Sequence, residues 1–329
     1  AYIKVYSPAG VFKHKMGGKG EGPGEVKRTD SVKFAFTHDK KLAFREFFGG
    51  HRWITFMNLD GSLHKTLNLQ IKDTFFGIGQ LFFLPDGRFL TTIDYRGHAK
   101  KRKDYFLQGS PTVFFLVDAD GNILSKIKEL EYLTRISFLE QGADMTLPFT
   151  PRKLWAPFKN NTILFSDGLS TKIQVINYKG ETVSEIATSL PECRKVTQKD
   201  LNTWKKKRKE DFSVNQRGRG WYKKFGSVIE KYEKSIYDKK PNISNMSVTP
   251  ANNILTGAWD REKEESTFWL IDEKGKTLTK VQLKAYGLRI DKSFIFFKTM
   301  DEDDVFAVHC LKRRGSEKED LLRITKLKF

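Results

Sequence analysis

The chain has 329 residues, 39% of them hydrophobic and 27 of them phenylalanine, enough apolar material for a sizeable core in one large domain or two ordinary ones. No run of eighteen apolar residues occurs, which excludes a helical membrane span within it. The 59 basic and 40 acidic residues leave a net charge of +19, which implies an anionic partner or surface, with a solvated lysine-rich exterior as the plain alternative.

The opening stretch "AYIKVYSPAG" is a β-strand entering a turn. It carries no signal peptide, and its ordered look leads us to expect residues upstream of it. Next comes "GGKGEGPGEV", residues 17–26, which has the glycine density of a phosphate-binding loop. Such a loop needs a strand before it, a helix after it and a Lys-Ser/Thr pair. After Gly24 the sequence "EVKRTDSVKFAF" alternates like a strand, so 17–26 is expected to be a turn between strands. Gly20, Gly22 and Gly24 then serve backbone geometry.

Five segments further share one pattern: "IKVYSPAGVFKHKMG", "ITFMNLDGSLHKTLN", "VFFLVDADGNILSKI", "IQVINYKGETVSEIA" and "FWLIDEKGKTLTKVQ". Each is an apolar strand, a polar turn ending in glycine and an alternating strand. The turn glycines are Gly10, Gly61, Gly121, Gly180 and Gly275, spaced by 51, 60, 59 and 95 residues. Glycine at a hairpin tip supplies the positive φ that such turns need. A second set of hairpins, among them "VKFAFTHDKKLAFRE", "LFFLPDGRFLTTID" and "LWAPFKNNTILFSD", interleaves with the first. Together they make a four-stranded antiparallel unit that recurs without regular crossover helices, the signature of an all-β β-propeller.

Six blades are expected, with a five-bladed ring as the alternative. The N-terminus supplies only the last two strands of the first blade, and the segment after residue 290 supplies three strands of the last. The whole of 1–329 is read as a single propeller domain. Residues 27–189 and 243–329 are expected in sheets, and the long fourth spacing places a helical insertion at 190–242.

The segment "VYSPAGVFKHKMGGKGEGPGEV" resembles the repeat of six-bladed propellers of the NHL and TolB-like type, where "GPGEF" closes one blade. The resemblance is nearest to exported bacterial six-bladed propeller proteins, many of them lipoproteins. It implies a binding module, and an exported location, periplasmic or on the outer surface, with the cytoplasm as the alternative. Propellers of this type bind proteins, glycans or RNA through one face, and some are enzymes. The heavy Lys/Arg content and the insertion depart from that pattern.

Within the insertion, "TQKDLNTWKKKRKEDF" opens on a Thr197/Asp200 capping arrangement and continues without a breaker, so it is read as a helix. "GWYKKFGSVIEKYEKSIYDKK" places Trp221, Phe225, Val228, Tyr232 and Ile236 in one helical stripe. From Arg194 to Lys240 there are 16 basic and 6 acidic residues, a net of +10. About half of the excess charge thus lies in one seventh of the chain. Lys205, Lys206, Lys207, Arg208 and Lys209 would attract an anion, Arg217 and Arg219 would give directional contacts, and Trp221 and Tyr222 would stack on a ligand if exposed. The competing reading packs the aromatic stripe on the propeller and leaves the lysines solvated.

A second basic run, "RGHAKKRKDYF" at 96–106, falls between the middle strands of the third blade. With the loops "REFFGGHRW", "SDGLSTK" and "WDREKEES" it would line one face, where we would look for ligand contacts. The residues there are Arg45, His51, Arg52, Tyr95, Arg96, His98, Asp167, Trp259, Asp260 and Arg261.

Cys193 and Cys310 stand far apart and in no Cys-x-x-Cys pattern, so neither a zinc site nor a disulfide scaffold is expected. No two of the six histidines have the spacing of a helical zinc pair, and no nucleophile elbow is present. His14 and His64 occupy corresponding places in outer hairpins and are read as edge residues. "DEDD" at 301–304 is read as a polar turn. No catalytic residue, metal or cofactor is therefore assigned. The reading is a non-catalytic binding module for an anionic macromolecule or surface, whether protein, acidic glycan or nucleic acid. An intracellular RNA-binding propeller and a hydrolase or lyase with a channel site are the alternatives.

Overall fold

The structure, a computed structural model, describes residues 3–6, 11–20, 25–26, 32–46, 53–71, 77–95, 99–101, 105–138, 143–214, 237–249, 251–260, 265–284, 296–299, 305–311 and 321–327. The chain divides into two compact units, 1–145 with 176–181, and 146–175 with 182–329.

The sheets follow chain order. Ile3–Tyr6 and Phe12–Met16 form an antiparallel pair. Four strands between 32 and 68 form a meander, as do the four between 154 and 187 and the four between 245 and 284. Three strands from Phe296–Thr299 to Leu321–Leu327 form the last sheet. This matches the expected succession of hairpins; strands such as Phe89–Asp94 and Thr162–Ser166 are buried at successive positions, so both of their faces contribute to cores. In the first unit Ile54, Leu69, Ile78, Phe89 and Ile93 are buried together; in the second Leu164, Ile173, Ile254 and Ile271 are.

One sheet departs from the four-stranded expectation. Between 77 and 146 there are six strands, and Tyr105–Val117 and Ile123–Phe138 run 13 and 16 residues. Residues 112–117 pair with Phe89–Asp94 as in an ordinary repeat, but 105–110 continue beyond it, paired with 132–138. Ala99–Lys101 adds to this extension opposite Phe106–Gln108. The basic run 96–106 is therefore partly strand and not simply a loop.

The stretch at 17–26 closes on itself. Gly18–Lys19 pairs in parallel with Glu25–Val26, and Gly17 takes a φ of +73°. Strands flank it on both sides, Phe12–Met16 and Val32–Phe36, as a turn requires. Gly22 and Gly24 lie outside the described residues.

The outer hairpins share one turn. In each, the glycine N–H donates to the carbonyl three residues back: Gly61 to Asn58, Gly121 to Asp118, Gly180 to Asn177 and Gly275 to Asp272. The side-chain oxygens of Asp118, Asn177 and Asp272 accept N–H groups two and four residues on, which ties each tip together. The four glycines have φ between +89° and +94°. Three of them are also short of space. A Cβ on Gly121 would lie 2.6 Å from the Asn68 oxygen, one on Gly180 2.2 Å from the Ile127 oxygen, and one on Gly275 1.9 Å from the Ala187 oxygen. These carbonyls belong to the outer strand of the preceding hairpin.

Gly87 separates the two requirements. Its φ is +85°, but the nearest atom to an added Cβ is 3.8 Å away. Gly87→Ala should therefore cost only the left-handed backbone, about 1–2 kcal/mol. Gly180→Ala and Gly275→Ala should cost more, because a backbone carbonyl must also move. Denaturant unfolding of the three variants checks this, and an equal loss in all three would show that φ alone matters.

Candidate functional site

The insertion leaves and rejoins the second unit through a closed neck. Lys195 and Lys239 form an antiparallel bridge. Val196 N donates to Asp238 O at 2.7 Å, and Lys240 N to Arg194 O at 2.9 Å. Leu190 and Ile243, on either side of the neck, are buried in the same apolar cluster.

Helix α1, Gln198–Val214, starts directly after this neck. Its N-terminus is a reciprocal cap, as its sequence implies. Thr197 N donates to Asp200 Oδ2 at 3.0 Å, and Asp200 N donates to Thr197 Oγ1 at 3.2 Å. Asp200 is 4% exposed, and its Oδ1 accepts Lys240 Nζ at 2.8 Å and Arg194 Nη2 at 3.1 Å. One carboxylate thus holds the helix start, the outgoing strand and the returning strand. Burial raises its pKa, but hydrogen bonds from Lys240 and Thr197 outweigh burial and bring it down to about 2.

The helix rests on Asp200 and Leu201, both buried, with Trp204 and Lys205 half-buried. Lys199, Lys206, Lys207 and Lys209 are exposed. A broad apolar face of the kind that enters a bilayer is absent from its described side chains. The described surface of α1 is a cationic one held in a fixed direction. Arg217, Arg219, Trp221, Tyr222 and the second expected helix lie outside the described residues.

The loop-face residues separate into several environments. Arg45 is not on a loop: it stands in strand Leu42–Glu46, is 2% exposed, and its guanidinium donates to Gly79 O. Burial pulls its pKa down to about 9, while the Asp94 charge opposes the fall. Asp94 in turn accepts the Thr112 hydroxyl. Gly79 allows the strands to close here, since a Cβ would lie 1.6 Å from Thr92 Oγ1. Arg45 is thus a structural cation in this state, out of reach of a ligand. Tyr95 is half-buried against the first core, its N–H donating to Pro111 O at 2.8 Å.

Asp167 spends its carboxylate on its own turn, accepting Leu169 N at 2.8 Å. The carbonyl of the following Gly168 accepts Asn242 N at 2.8 Å and the Cys193 thiol at 3.1 Å, which ties this loop to both arms of the insertion. Burial pushes the Cys193 pKa up, so the thiol stays protonated. Trp259 and Asp260 belong to strand Ile254–Asp260, paired with Ser266 and Glu265, and not to the loop. His51, Arg52, Arg96, His98 and Arg261 lie outside the described residues. Trp53, which opens strand Trp53–Met57, is 54% exposed and was not among the expected contacts. The signal for it was a large aromatic placed directly after the sequence Gly-Gly-His-Arg.

No protein-family model matches the chain, and no curated protein matches it in sequence. Solved structures do. A member of the DUF4221 family from Bacteroides vulgatus is similar at 7% identity and a TM-score of 0.50, over 99% of this chain and 86% of that one. The fold is a β-propeller. At that identity the likeness speaks to the fold alone. The Neurospora crassa Pan2 WD40 domain is similar at 13% identity and a TM-score of 0.40, over 90% of this chain and 62% of that one, so the chain spans less than two thirds of its length. The virginiamycin B lyase of Staphylococcus aureus is similar at 9% identity and a TM-score of 0.36, over 90% and 83%. In this propeller the four-stranded sheets are blades, and α1 is a helical insertion between two of them.

The depressed Asp200 pKa fixes a pH dependence. Its folded value of about 2 lies below the ordinary carboxylate value, so its contribution is present above pH ~4 and fades as pH falls toward 2. The linkage amounts to about 2 kcal/mol. Hydrogen exchange at the Val196 and Lys240 amides should accelerate over that window relative to blade amides. Asp200→Asn should remove the acid dependence and leave the neck loosened at neutral pH.

Proposed function

We propose that this chain is a non-catalytic binding propeller of six blades, whose basic insertion contacts an anionic macromolecule or surface. The observation that carries the reading is the anchored helix. Asp200 and Leu201 face inward, and Lys199, Lys206, Lys207 and Lys209 are left exposed on a segment that closes at its own neck. Lysines of this kind act as hydrated point charges and attract a polyanion without demanding one shape of it. The net charge of +10 between Arg194 and Lys240 supplies long-range attraction. An exported location, periplasmic or on the outer surface, belongs to the same proposal and rests on the resemblance of the Gly-rich segment at 17–26.

Binding should weaken steeply with salt, because a neutralised polyanion releases its counterions. The test compares the parent chain with a variant carrying Lys205→Gln, Lys206→Gln, Arg208→Gln and Lys209→Gln. Each is titrated with salt against single-stranded RNA, an acidic polysaccharide and anionic vesicles. On RNA the slope of log affinity against log salt should fall by roughly 2–3 if all four side chains meet phosphates, with folding unchanged. Equal, salt-insensitive binding by both proteins would make these lysines a solvated face. Preference for RNA at matched charge density would support the intracellular alternative, and turnover of the polysaccharide would support a lyase.

A further inference from the structure

The neck of the insertion sets two lysines against each other. Its paired hydrogen bonds run from Val196 N to Asp238 O and from Lys240 N to Arg194 O, and they bracket the Lys195/Lys239 bridge. Lys195 and Lys239 are therefore the non-hydrogen-bonded pair of this short antiparallel ladder, the kind whose side chains stand closest. Alternation puts Arg194 and Lys240 on the other face, and there both reach Asp200 Oδ1. Asp238, opposite Val196, belongs to that face as well. Cys193, two residues before Lys195, falls on the Lys195 side, and the Lys239 charge acts on its thiol, which burial keeps protonated. Both lysines are exposed. The neck thus has two unlike faces. On one, two cations converge on a buried carboxylate; on the other, two cations stand side by side at the surface.

We infer that Lys195 and Lys239 together hold one dianionic group, a phosphate monoester. Like charges directly opposite each other across a ladder repel, so an anion seated between them is attracted twice and relieves that repulsion. Each ammonium is a compact point charge with three donors, which suits the oxygens of a phosphate. A monoester brings close to two negative charges at neutral pH, matching two cations, whereas a carboxylate, a sulfate ester or a phosphodiester brings one. The backbone bonds of the neck and the Asp200 contacts fix where both lysine stems begin, so only the stems have to be ordered on binding. On the inner face the protein supplies its own anion to a pair of cations; the outer pair takes its anion from solution. This site is distinct from the exposed lysines of α1 and stands or falls without them.

Phenyl phosphate is titrated into the full chain at about pH 7.5 and followed by the amide shifts of Lys195, Val196, Lys239 and Lys240. Phenyl sulfate is the singly charged probe of the same shape. The phosphate should bind about tenfold more tightly than the sulfate, since its second charge meets two cations. Inorganic phosphate should bind within about threefold of phenyl phosphate, because the pair reads the group and not its substituent; failure to bind it would shift recognition to the ring and overturn the site. Lowering the pH to about 5 should weaken phenyl phosphate roughly fivefold, as it gains a proton near pH 6, and leave phenyl sulfate unchanged. Asp200 keeps the neck closed over that range, its pKa being about 2. Lys195→Gln or Lys239→Gln should each abolish the preference for phosphate, and Lys195→Arg, which keeps the charge, should retain it. The four insertion substitutions Lys205→Gln, Lys206→Gln, Arg208→Gln and Lys209→Gln should leave phosphate affinity within twofold, even where they abolish polyanion binding. Equal affinity for the two esters, or a preference that survives either glutamine substitution, would overturn the pairing. Loss of the preference in the insertion variant would move the site to α1 and overturn it too. Unchanged or slower amide exchange at Val196 and Lys240 in the glutamine variants separates lost binding from an opened neck.

Discussion

Close approach of a turn glycine to a neighbouring carbonyl is the constraint on which the repeated hairpins depend. Asn68, Ile127 and Ala187 place their oxygens where a side chain on Gly121, Gly180 or Gly275 would have to be. Gln70 N and Ser189 N then donate to the oxygens of Gly121 and Gly275, at 3.0 and 3.3 Å. Two residues before the glycine, another carbonyl is taken by the preceding outer strand. His14 reaches Leu59 O at 2.9 Å, Lys65 reaches Ala119 O at 3.3 Å, and Ser125 reaches Tyr178 O at 2.9 Å. Three side chains of different chemistry make the same contact, so backbone placement, and not residue identity, sets it. His14 is accordingly an edge residue with a structural bond. Stability in such an arrangement is a sum of repeat and nearest-neighbour terms.

That arrangement also explains how the chain carries a segment as large as 190–242. Leu190 and Ile243 remain in the blade core, and Ser189 N still meets Gly275 O, so the repeats stay coupled across the insertion. A flexible loop of this length costs little more to close than a short one, since the entropy grows only with the logarithm of length. The neck reduces even that by pinning 194–196 against 238–240. Asp200 is the one buried charge of the neck, and it is matched by Lys240, Arg194 and Thr197. A buried carboxylate without those partners would be strongly disfavoured. The helix direction is thus an outcome of local electrostatics, and the exposed lysines follow from it.

Much of this was legible in the residues because glycine and alternation are local signals. The positions of Gly61, Gly121, Gly180 and Gly275, the strands around them and the Thr197/Asp200 cap all follow from neighbours within a few residues. The six-stranded sheet was not legible. Its long strand contains Gly109, Ser110 and Pro111, a trio that ordinarily punctuates a chain. Here Gly109 leaves room for Glu131, whose carboxylate oxygen would lie 2.5 Å from an added Cβ, and Pro111 simply pairs with Glu131 across the ladder. Arg45 was misplaced for a similar reason. Beside "EFFGG" it looks like loop surface, and only Gly79 O, 34 residues away, turns it into a core residue. Long-range partners of this kind leave no periodic trace.

Native-state hydrogen exchange at Gln70 and Ser189 tests most directly whether the glycine tips lock neighbouring repeats together. Both amides sit just past the end of an outer strand, where an unattached segment would exchange freely. Their bonds to Gly121 O and Gly275 O should instead give them the protection of the strands in their own unit, lost only when that unit opens. Exchange at the rate of open loop amides, with the strands still protected, would contradict the coupling of each repeat to the next.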